Sequence, residues 1–116
     1  MSETAEGAIG RLFRLAEAVG LPRVEIGSHY GTPSLSVAGK QFAGWRDGAV
    51  SLRIPMEQKE FLLEIAPEIY FETDHYKGWP WLLVRLDMIS NEELTQRLID
   101  AWKFRAPKRL AATFAG

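Results

Sequence analysis

Cysteine is absent from the 116 residues, which excludes a disulfide framework, a thiolate metal cluster and a cysteine nucleophile. No apolar run approaches the roughly 20 residues that would cross a bilayer as a helix, so membrane insertion is not expected. An excess of charge is missing too. Fourteen Lys and Arg against fifteen Asp and Glu leave a net charge of −1, without the strong positive field of a dedicated non-specific nucleic-acid binder, so any basic patch must be local. The first residues, Met-Ser-Glu-Thr-Ala-Glu, are acidic and are not followed by an apolar signal core, so the cytoplasm is the expected compartment. Nucleophile arrangements are lacking as well: there is no Gly-x-Ser-x-Gly elbow and no Ser-x-x-Lys, which lowers the expectation of catalysis.

What is present is ordinary globular material. An apolar fraction of 47% and a charged fraction of 25% suit one domain over residues 1–116 with a single core. No repeat or linker interrupts it, and the Ala-rich tail from Leu110 to Gly116 is the one biased tract.

The periodicity divides the chain. From Glu3 to Val19, Ile9, Leu12, Phe13, Ala16 and Val19 recur at helical spacing, and Gly20 before Leu21-Pro22 ends the run. The period then falls to two. Val24 and Ile26, then Leu35 and Val37, alternate with small or polar residues as in strands with one buried face, joined by a loop from His29 to Pro33. Gly39-Lys40 reads as a tight turn into a third strand over Gln41 to Arg46, and Asp47-Gly48 as a primed turn into a fourth with Val50, Leu52 and Ile54. Met56 to Ala66 returns to helical spacing with Phe61, Leu62 and Ile65 inward. Ile69 to Thr73 and Trp81 to Leu86 are strand candidates, and Ser90 with Glu93 forms a capping box opening a last helix that Ala106-Pro107 stops. The expected fold is α+β, an antiparallel sheet with three helices in the order α-β-β-β-β-α-β-β-α.

Four blocks in order and spacing carry a resemblance: His29 to Pro33, Gly39 to Ala43, Thr73 to Trp79, and Ala101-Trp102 with Ala106 to Arg109. From about Leu21 to Arg109 the chain resembles the MmcQ/YjbR-like family. The resemblance implies a small α+β fold related in shape to secretion-chaperone-like and double-wing folds, and a small bacterial-type protein customarily labelled DNA-binding. It implies no agreed reaction, cofactor or catalytic residue.

Candidate site residues sit in loops, where function collects. His29-Tyr30 and His75-Tyr76 are two His-Tyr pairs; with Asp74 they would offer a metal three ligands, act as an acid/base pair, or serve as hydrogen-bonded loop ends. Lys40 follows Gly39, but Gln41 stands where a phosphate-binding loop has Ser or Thr. It reads as a solvated tip or as a point charge for phosphate. Tyr76-Lys77-Gly78-Trp79 interleaves stacking rings with a cation as single-strand binders do, against the alternative of Trp45, Trp79 and Trp81 as packing residues. Arg97, Lys103, Arg105, Lys108 and Arg109 make a basic end opposed only by Asp100, while residues 57–74 hold six acids and one lysine. That asymmetry fits either a dipolar surface or a helix end complementing its own dipole.

The leading expectation is a binding module in which the two His-Tyr loops, Lys40 and the basic end with Lys108 and Arg109 line one groove for DNA or another anionic ligand. No metal or other cofactor is expected, and the protein would be a monomer or homodimer. The alternatives are a protein-interaction adaptor or chaperone-like dimer using a sheet edge or apolar patch, and an enzyme using His29 or His75.

Overall fold

Three two-residue turns build most of the sheet. The computed structural model describes residues 4–114. At Tyr30-Gly31, Ala38-Gly39 and Asp47-Gly48 both residues have positive φ, between 49° and 78°, as in the primed turns whose twist matches that of the strands they join. They link β1 (Val24–His29), β2 (Thr32–Val37), β3 (Lys40–Arg46) and β4 (Ala49–Arg53) into a continuous antiparallel meander. The Asp47-Gly48 turn is the expected one. The segment from His29 to Pro33 is not a loop, because His29 pairs with Thr32 across the turn. Lys40 likewise opens β3 opposite Val37 instead of sharing the turn, whose first residue is Ala38. Tyrosine and alanine adopt the left-handed region at a cost of about 1 kcal/mol or more, so neither signals a turn in the sequence.

Beyond β4 come α2 (Met56–Ile65), β5 (Tyr70–Phe71) and β6 (Trp81–Val84), then α3 (Asn91–Arg105) and a one-turn α4 (Lys108–Ala111). The sheet order is β1-β2-β3-β4-β6-β5. Helix α1 (Ala5–Ala18) lies over β1 to β3, and α3 lies beside it over β3 and β4. Both helices therefore cover the same face. Ile9, Leu12, Leu94, Leu98 and Trp102 pack there against Leu35, Val37, Val50, Leu52, Leu82 and Val84, each large side chain contributing about 1.5–3 kcal/mol by leaving water. Ends are set locally. Thr4 and Ser90 accept from Gly7 and Glu93 as N-caps, and Gly20, at φ 77°, lets Leu21 N–H reach the Ala16 carbonyl at 3.0 Å.

Several expectations need correction. Among the described residues four helices form where three were expected, because Pro107, in extended backbone, breaks the run after α3 and a further turn, α4, begins at Lys108. Lys108 and Arg109 belong to that separate turn. Ile26 is 55% exposed on β1, an edge strand of which only Val24 is partly covered. Phe61 and Ile65 are 58% and 56% exposed, for α2 buries only the narrow stripe of Lys59 and Leu62. Strands β5 and β6 are shorter than expected because only Tyr70 and Phe71 meet β6. Glu3, expected in the first helix, lies outside the described residues. No helix among them is long and apolar enough to cross a membrane.

Candidate functional site

The helices leave the other face of the sheet open. A bulge aims polar side chains onto it: Leu35 pairs with Ala43 but Ser36 pairs with Gln41, so Phe42 is the extra residue. Phe42 and Ala43 are consequently both fully buried, and Gln41 turns outward. Two pairs further along, Gly44 lies opposite Ser51. A Cβ on Gly44 would come within 2.5 Å of Gln41 Nε2 and 3.1 Å of Ser51 Oγ. The glycine makes the room in which the glutamine lies.

The segment 73–80 folds over this face from the β5–β6 side, turning at Gly78, φ 81°. Its anchor is Lys59, only 1% exposed. Lys59 Nζ donates to the carbonyls of Tyr76 at 2.8 Å and Trp79 at 2.7 Å, and pairs with Glu72 Oε1 at 2.8 Å. All three ammonium hydrogens are thereby answered, as burial of a charge requires. So fixed, Tyr76 stacks on Trp81 with ring centroids 5.8 Å apart and planes 22° apart. A guanidinium closes each end of the stack: Arg46 lies 5.5 Å from the Tyr76 centroid and Arg53 lies 5.4 Å from that of Trp81. The result is a column, Arg46–Tyr76–Trp81–Arg53, held by stacking and cation–π attraction.

The two His-Tyr pairs meet. His29, Tyr30, His75 and Tyr76 line one cavity of about 270 Å³ with Gln41, Ser51 and Trp81 among its other walls. Each histidine packs edge-on against its tyrosine, at 4.5 Å and 5.0 Å, and Tyr30 stands 96% exposed at its hairpin tip. A second groove, of about 510 Å³, adjoins the first through His29, Gln41 and Trp81 and is lined further by Lys40, Arg53 and Arg105. Arg105 is planted there by its Nε donating to the Gln41 carbonyl at 3.1 Å. Burial first, and then the charge of Arg105, pulls the Arg53 pKa below its ordinary value. Among the described residues no carboxylate lines either hollow.

The remaining candidates sit elsewhere. Asp74, Lys77 and Trp79 lie on the folded-over segment but line neither hollow, and Lys108 and Arg109 are exposed on α4. Asp74 joins no metal-binding set with the histidines, since no three such ligands converge among the described residues. Pattern reading overlooks Gln41, Arg46, Arg53 and Lys59 as site residues. Only Lys59 leaves a trace in the sequence, as the single lysine among the six acids of residues 57–74.

Fold and face together define a small α+β domain with an antiparallel sheet, helices on one side and an aromatic, cationic surface on the other. The chain belongs to the YjbR family, whose model matches residues 19–104. Uncharacterised proteins of Mycobacterium bovis and Mycobacterium tuberculosis are similar to it, 38% identical over 66 residues, 56% of this chain and 51% of theirs. The chain thus spans about half the length of the curated relatives it matches. No solved structure matches it.

Proposed function

We propose that this protein binds nucleic acid, single-stranded DNA foremost, on the open face of its sheet. The observation that carries the reading is the Arg46–Tyr76–Trp81–Arg53 column. Single-strand binders combine stacking surfaces for bases with cations that track the backbone, and each stacked base contributes about 1–3 kcal/mol. The stacking rings are recessed beside the cations, which suits unpaired bases better than bases already stacked within a duplex. Catalysis by His29 or His75 has less support, because no carboxylate lines their cavity to orient either ring.

Titration of tryptophan fluorescence with thymidine oligonucleotides and with duplex DNA tests the reading. Single strands should quench Trp81, and log affinity should fall with log salt at a slope of about −2, reporting roughly three phosphates. Undetectable binding at low ionic strength, or binding that ignores salt, overturns it.

One observation favours a second reading, an interaction module. Phe61 and Ile65 project from α2 one turn apart, both more than half exposed, forming an apolar strip of the kind that partners cover. Sedimentation of the wild type against the F61E/I65E variant decides: association lost in the variant supports this reading, and a strict monomer removes it.

A further inference from the structure

Arg53 and Arg105 line the same groove, and among the described residues neither makes an ion pair. Arg53 Nε is shut off from solvent and meets no hydrogen-bond acceptor. Two guanidinium groups close enough to influence one another would ordinarily be separated by a carboxylate, yet this groove offers Ser28, Ser34 and Ser36 hydroxyls, His29 and Lys40. Every side chain there that carries a full charge is positive. The arrangement suits an anion, since uncompensated like charges repel and planar guanidinium forks match the oxygens of phosphate.

We propose that Arg53 and Arg105 form a subsite for a phosphomonoester, the terminal phosphate of a nucleotide or short strand whose base occupies the adjoining His29–Tyr76 cavity. The charge favours a monoester over an internal diester: a terminal phosphate carries about −1.5 to −2 at neutral pH, which balances two guanidinium groups, whereas a diester carries a single charge. The position favours it as well. The groove shares His29, Gln41 and Trp81 with the cavity, so a base stacked against the column and a phosphate in the groove belong to one small ligand. Arg53 serves both parts, resting against Trp81 while lining the groove. The placement of the base rests on the nucleic-acid reading above; the phosphate site does not.

The two are separable by experiment. Short thymidine oligonucleotides bearing a 5′-phosphate, a 3′-phosphate or neither are titrated into the full chain, with inorganic phosphate as a further arm. Arginine Nε–H signals in NMR report the groove, and tryptophan fluorescence reports the stack. A terminal phosphate at one end should tighten binding about tenfold and move the Arg53 and Arg105 signals. Arg105→Gln should abolish that increment, so that phosphorylated and unphosphorylated strands bind the variant alike. Equal binding of all three strands overturns the phosphate subsite and leaves the stacking surface standing. If no strand binds but inorganic phosphate moves both arginine signals, the subsite stands and the nucleic-acid reading falls. Silence in every arm overturns both.

Discussion

A lysine shut away from water must have all its donors answered, and Lys59 finds two carbonyls and a carboxylate. Lys59→Met keeps the apolar stem and removes the charge, leaving Glu72 and the Tyr76 and Trp79 carbonyls without their partner. The cost should be about 2–3 kcal/mol by urea unfolding, short of the full penalty for a broken buried pair because Glu72 retains some exposure. Amide exchange across residues 76–81 should quicken alongside it. Tyr70 supplies the pH dependence. Burial, and next the 2.5 Å hydrogen bond to Glu93 Oε2, pushes its pKa up. Above about pH 10 the unfolded chain gives up this proton and the folded chain keeps it. The contribution to stability is therefore complete below about pH 10 and declines as pH rises further. Tyr70→Phe should flatten that alkaline decline in urea midpoints while costing about 1 kcal/mol near neutrality.

At the scale of elements, the bulge in β3 and the glycine after it decide what the open face displays. Gly44→Ala should force Gln41 off the floor and into the cavity. Because the obstruction is the end of a flexible side chain, stability should change by no more than about 1 kcal/mol. Oligonucleotide affinity should fall several-fold in the fluorescence titration. The same bulge shows why the sequence discloses the fold better than the site. Alternation gives the four-strand meander, and Ser90 is a cap readable on sight, since both depend on near neighbours. Gln41, Arg46 and Arg53 gain their roles from register and from a segment that returns some thirty residues later, which no local pattern carries. His29, Tyr30, His75 and Tyr76 were legible as candidates because rings and imidazoles beside turns are unusual. Their shared cavity exists only through the pairing of β4 with β6. Phe61 and Ile65 mislead in the opposite direction: helical spacing reads them as core, although α2 has too little sheet beneath it to cover them.

For the molecule as a whole, a net charge of −1 conceals segregation. Acids gather between Glu57 and Asp74, while both hollows of the open face are free of them. Anions should consequently be drawn to one side of a nearly neutral protein, an attraction that fades over about 8–10 Å in physiological salt. Lys108 and Arg109 line neither hollow, so on the proposed reading they would steer a ligand and not hold it. Replacing both by glutamine should slow association at low ionic strength while lowering equilibrium affinity far less than Arg53→Gln does, and stopped-flow fluorescence separates the two effects.

The ammonium of Lys59 grips its segment by main-chain oxygens, which every residue type supplies. It is therefore indifferent to the side chains that the segment carries. Residues 74, 75, 77 and 79 can be exchanged without disturbing the fastening, so the socket separates the path of the segment from the side chains it displays. Variants randomised at those positions should keep the parent's fold and, by urea unfolding, its stability to within about 1 kcal/mol.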